Sequence, residues 1–200
     1  MAATGSTSSA SIGFLTVCEH EGQGLFGGYL LLNLAGRPLE FYCTAPVRPN
    51  RAQEILYGPT LKPYLYGDQI GQTLLEKAKT KPLLVFTDVE PALAVREYVP
   101  SPVVLVLSGE QATQMERARR PDSAAMLVAG DPVVPLAFAY RVHLFSVGEQ
   151  HFAVSQTHCQ DAEKVVAQWQ PYVAEFDVRE PFQRIRDAID EARRSAKQAA

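Results

Sequence analysis

Three cysteines and four histidines carry the metal-binding and nucleophilic potential of this sequence. Cys18-Glu-His20 sets two zinc-type ligands at i and i+2, on one side of an extended segment. His158-Cys159 adds a second pair, and together the four would make a Cys2His2 set that zinc accepts. The spacing argues against it, because paired ligands in structural zinc sites are about two to four residues apart. No metal is therefore expected, and Cys18, His20, His158 and Cys159 are the residues to watch if one binds. A nucleophilic site would draw on Cys43 or Cys159 with one of His20, His143, His151 and His158 as base. No G-x-S-x-G or cysteine-protease pattern accompanies them.

Asp88 is placed differently. It follows the apolar run Leu83–Phe86, and the carboxyl ends of strands line the ligand crevice of open α/β sheets. Ser108-Gly109-Glu110 and Gly130-Asp131 follow two further apolar runs in the same way. The competing role for Asp88 and Ser108 is helix capping, since Asp and Ser accept from the orphan N–H groups of a first turn.

Gly22-Gln-Gly24-Leu-Phe-Gly27 spells G-x-G-x-x-G. A dinucleotide loop must open a helix, but Gly28-Tyr-Leu-Leu-Leu-Asn is strand-like. A kinase-type flap needs partner motifs (a lysine on the next strand, H-R-D, D-F-G), and the chain has none. The motif thus predicts a mobile hairpin loop. Arg37, Arg48, Arg51 and Lys62, with Tyr57 and Tyr64, fall in turns and helix starts around that hairpin and are the expected ligand-binding set for a small anion.

These residues need a frame. Residues 12–18 and the segments Tyr29–Leu34 and Leu39–Thr44 read as strands, the last two joined by Ala35-Gly-Arg-Pro38. Arg51–Tyr57 reads as a helix capped by Asn50. A second helical stretch starts at Thr60, bent at Gly67 so that Asp68 caps its second half. Leu83–Phe86 and Val103–Leu107 are apolar throughout, as parallel strands covered on both faces must be, and each leads into a helix. Ala124–Ala129 is a further strand, and Phe138–Phe145 with Phe152–Thr157 a second hairpin. Asp161 is expected to cap the next helix. The last carries the stripe Phe182, Ile185, Ala188, Ile189 and Ala192, with Asp190 four residues from both Arg186 and Arg194.

The fold class is mixed α/β: a central mixed sheet with flanking helices, an N-terminal antiparallel hairpin and a second late hairpin. Residues 1–11 are expected to be a disordered tail, 12–194 a single domain and 195–200 a frayed end. A hydrophobic content of 46% supports a sizeable core, and a net charge of −3 supplies no field for nucleic acid or membrane. No apolar run reaches the roughly 18 residues of a membrane span, and an odd, scattered cysteine set suits the cytoplasm. The expected function is a non-catalytic binding or regulatory module that recognises a partner protein or small anionic ligand near the first hairpin, with no cofactor and no nucleic acid. The alternative is a small enzyme using the carboxyl ends of the central strands, with Asp88 as acid, base or metal ligand.

Overall fold

Ile12, Phe14, Leu15 and Val17 make Ser11–His20 apolar on both sides, as a strand covered on two faces must be. The structure, a computed structural model, describes residues 10–119 and 141–198. β1 (Ser11–His20) pairs antiparallel with β2 (Gly24–Asn33), and β2 with β3 (Pro38–Cys43). β4 (Leu84–Thr87) lies parallel to β1, and β5 (Val103–Leu107) parallel to β4. β6 (Val142–Val147) and β7 (Gln150–Ser155) form the late hairpin, joined to β5 through antiparallel β7. Among the described residues this is one seven-stranded sheet of order β3-β2-β1-β4-β5-β7-β6. The expected mixed α/β architecture holds, with parallel strands at its centre and a hairpin at each end.

Alternation along the strands sends Leu15, Val17, Tyr29 and Leu31 to one face and Ile12, Phe14, Leu30 and Leu32 to the other. The first face is covered by a helical run and by α4 (Gly109–Ala118). That run follows α1 (Arg51–Tyr57) and comprises α2 (Leu61–Pro63), a π-helix over Tyr64–Gln72 and α3 (Thr73–Lys77). A 3-10 helix over Glu90–Glu97 packs in the same layer. The second face is covered by α5 (Asp161–Trp169) and α6 (Glu180–Gln198), with Trp169, Phe182, Ile185 and Ile189 buried.

Several local expectations are met by short-range hydrogen bonds. Asn50 and Ser108 cap α1 and α4, each in a reciprocal capping box with Gln53 and Gln111. Others need correction. The glycine motif is not a mobile loop: only residues 21–23 turn, and Gly24 to Gly28 already belong to β2. Gly22 supplies the left-handed turn conformation at φ 69°. Gly27 and Gly28 have a packing role, since a Cβ on the first would collide with Ile70 and on the second with Ile185. One helix therefore presses on each face of the same strand. Gly67 does not divide the second helical stretch; a Cβ there would stand 2.6 Å from that of Ala94, so the π-helix runs through it against the 3-10 helix. Asp68, inside that helix, caps nothing and accepts from the Tyr98 hydroxyl. Asp161 is likewise no cap: its buried carboxylate receives Arg96 and Lys164. The expected strand Ala124–Ala129, the start of the late hairpin at Phe138 and the residues Gly130-Asp131 lie outside the described residues.

Candidate active site at the carboxyl edge

β1 outlasts its neighbour. It pairs with β4 only as far as Leu15 and Thr87, and then continues to His20. Alternation puts Thr16, Cys18 and His20 on the α6 side of this stretch, which pairs with β2 but has no strand on its β4 side. Thr16 finds its partner in Asp88 after β4, and His20 finds its own in Arg193 and Asp190 of α6.

Arg179, Arg186 and Arg193 are spaced seven residues apart, and seven residues is close to two helical turns. Their side chains therefore leave one side of the final helical segment. Arg179, just ahead of α6, donates from Nη2 to the carbonyl of Leu107 at the end of β5, at 2.7 Å. Arg186 donates to Asp88 Oδ2 at the end of β4. Arg193 reaches the end of β1: Nη1 lies 3.2 Å from His20 Nε2, and Nε and Nη2 donate to Gln23 Oε1 at 3.1 and 2.8 Å. Its guanidinium also sits 5.3 Å from the centre of the Phe26 ring. α6 and the residue just ahead of it thus bring a guanidinium to the carboxyl end of each parallel strand.

Asp88 is the focus of this edge. Its Oδ1 accepts from the hydroxyl of buried Thr16 at 2.6 Å, while Oδ2 receives Arg186. The Asp88 side chain is 18% exposed and that of Arg186 39%, so the pair is reachable from solvent. Asp88 is not the cap of the following 3-10 helix, where Val89 holds the N-cap position without a side-chain bond. Beside it, burial pushes the Cys18 thiol above its usual 9.0, an effect that Arg186 opposes and that Asp88 and Asp190 reinforce. Cys18 is therefore a protonated thiol at neutral pH, not an activated nucleophile. Asp190 accepts from Arg193 at 2.7 Å and lies 3.7 Å from His20. The expected pairing of Asp190 with Arg186 and Arg194 does not form, because Arg186 is drawn to Asp88 and Arg194 pairs with Glu191.

The sequence-derived ligand set is not gathered in one place. Arg37 sits in the β2–β3 turn, and Arg48 at the other end of β2, where it donates to the carbonyls of Gly22 and Gln23. Those ten residues of strand put about 33 Å between the two turns. Arg51 pairs with Glu54 on the open side of α1, and Tyr57 stacks on Tyr64 with ring centres 3.9 Å apart. Lys62 opens the helical run beyond them and lies near Glu90. The possible zinc ligands are separated too: Cys18 and His20 end β1, while His158, ahead of α5, pairs with Glu97, and Cys159 is exposed. Among the described residues no three of His, Cys, Asp and Glu converge on a metal position. Cys43 is exposed on edge strand β3. Thr16, Arg179, Arg186 and Arg193, which the structure brings to this edge, are absent from the sequence-derived set. The sevenfold arginine spacing was the one sequence signal that could have found them.

No protein-family model matches the chain, and no curated protein sequence does. Two solved structures are similar in chain course. Human ENDOV is 15% identical with a TM-score of 0.46, over 97% of this chain and 87% of that one. An endonuclease V of Ciona intestinalis in complex with a 23mer DNA is 11% identical with a TM-score of 0.36, over 72% and 70%. These neighbours run against the expectation of a non-catalytic module that takes no nucleic acid, and that expectation is withdrawn. The alternative resting on Asp88 is carried forward. No helix among the described residues is long and apolar enough to cross a membrane.

Proposed function

We propose that the protein is a small enzyme that hydrolyses phosphodiester bonds of nucleic acid at the carboxyl edge of its sheet, with Asp88 as general base. The observation that carries this is the placement of Asp88 between the Thr16 hydroxyl and the exposed side of the Arg186 guanidinium, at the ends of two adjacent parallel strands. A guanidinium fork matches the paired oxygens of a phosphate, and a phosphate arriving at Arg186 competes with Asp88 for it. Asp88 Oδ2 is then released while Thr16 keeps Oδ1 in place. The freed oxygen accepts a proton from a water that attacks phosphorus. As the new P–O bond forms, the bond to the departing ribose or deoxyribose oxygen breaks, and that oxygen takes a proton from solvent. Were a divalent ion to bind with the substrate, Asp88 would be the carboxylate to hold it, and the ion would supply charge neutralisation at the phosphate.

A cytoplasmic location is supported by the three unpaired thiols, Cys18, Cys43 and Cys159.

The test is hydrolysis of end-labelled single- and double-stranded oligonucleotides, with and without Mg2+. Asp88→Asn is expected to lower kcat by about 10²- to 10⁴-fold, the usual contribution of a general base. Arg186→Gln should chiefly raise KM. A wild-type protein that cleaves no oligonucleotide, or a folded Asp88→Asn variant that cleaves as fast as wild type, refutes the reading. Thermal melting of each variant establishes that it is folded.

A further inference from the structure

We propose that the cavity of about 440 Å³ beside Arg179 is a second subsite of this edge, taking a flanking nucleotide of a single strand. This rests on the nucleic-acid activity proposed above and specifies the form of its substrate. The cavity lies at the end of β5, between the β6–β7 turn and the segment that enters α6, and its volume falls within the range of small-ligand pockets. Two cationic or potentially cationic side chains line it. Arg179 spends Nη2 on the Leu107 carbonyl, and its remaining N–H groups have no hydrogen-bond partner among the described residues. His151 holds Ser146 Oγ through Nδ1 at 3.0 Å, which leaves Nε2 for a ligand.

Two carboxylates share the lining. Asp177 accepts the backbone N–H of Arg179 at 2.9 Å, so its carboxylate braces the arginine. Glu149, in the β6–β7 turn next but one to His151, also lines the cavity. Val106 and Val178 supply apolar wall, suited to the face of a base once its phosphate is held.

The geometry sets the strandedness. Arg179 and Arg186 are about 10 Å apart along the helix axis, roughly the rise of three stacked nucleotides. A strand whose phosphate is engaged at Arg186 therefore brings a nucleotide about three steps along to Arg179. A base enters a concave site only when it is unpaired, so a single strand fits and a regular duplex does not.

Fluorescence anisotropy with a labelled single strand of about twelve nucleotides, read across a salt series, tests this. Arg179→Gln is expected to weaken binding about tenfold, as loss of a charge-assisted bond does. It should also reduce the slope of log K against log salt by about 0.7, the value for one phosphate contact on a single strand. His151→Gln, which leaves the Leu107 contact intact, should shift affinity in the same direction by a smaller factor. Wild-type affinity and slope in both variants, beside a wild-type protein that binds and cleaves the strand, overturns the subsite alone. A wild-type protein that binds no oligonucleotide overturns the activity as well.

Discussion

Tyr29 shows how a single residue can work against the core that it fills. Its ring is fully buried in the first layer, yet its hydroxyl makes no hydrogen bond among the described residues. Burial, with Glu40 and Tyr42 nearby, pushes its pKa well above the usual 10.0, so the group stays neutral. A buried hydroxyl without a partner costs about 1–3 kcal/mol. Tyr29→Phe should therefore raise stability by about 1 kcal/mol in urea melts, and a loss of stability would show that the hydroxyl has a partner after all. Asp88 stands at the other extreme. Both its carboxylate oxygens are engaged, by residues 72 and 98 positions away. Loss of activity in Asp88→Asn with little change in melting would separate its chemical role from its structural one.

At the scale of elements, α6 decides whether the carboxyl edge exists. Its apolar stripe, legible in the sequence, puts Phe182, Ile185 and Ile189 into the core, and the same rotation carries Arg186 and Arg193 to the strand ends. Gly28 sets how close the helix comes. A methyl group there meets Ile185, and overpacking of this kind costs about 1–3 kcal/mol. Gly28→Ala should lower stability by that amount and weaken the Arg186–Asp88 contact. Combining it with Ile185→Ala, which removes the Cγ2 that the new methyl meets, should recover part of the loss in a double-mutant cycle; strict additivity would mean that the two residues do not touch.

At the scale of the molecule, the two helical layers are stitched together around opposite edges of the sheet. Arg186–Asp88 closes the carboxyl edge. At the other edge, Arg96 from the 3-10 helix of the first layer pairs with Asp161 at the start of α5 in the second, at 2.5 Å, and also donates to Val99 O. Asp161 is 1% exposed and Arg96 14%. Burial raises the Asp161 pKa, but the bonds and charges of Arg96 and Lys164 outweigh it and hold the carboxyl below its usual 3.8. The folded protein thus binds this proton less readily than the unfolded chain. The pair's contribution is complete above about pH 5 and fades as pH falls through 4 and below. Asp161→Asn should cost about 3–5 kcal/mol at neutral pH, since it strands a buried guanidinium. It should also flatten the acid limb of the stability profile, and an unchanged acid limb would refute the role given to this pair.

The sequence by itself determined whatever depends on near neighbours in the chain. Asn50 with Gln53 and Ser108 with Gln111 close capping boxes over three residues, so their helix starts could be read directly. The uniformly apolar runs of β4 and β5 announced parallel strands, and the α6 stripe a helix against the core. The same local logic misjudged Asp88, Asp68 and Asp161 as caps, because a carboxylate beside a first turn looks alike whether it serves that turn or a distant cation. Only the tertiary structure decided between those roles. It placed β1 beyond the end of β4, laid α6 across the gap and brought Arg186 to Asp88 over 98 residues. Charged groups of opposite sign seek one another wherever the packing of apolar surfaces leaves them, and that packing is a property of the whole chain.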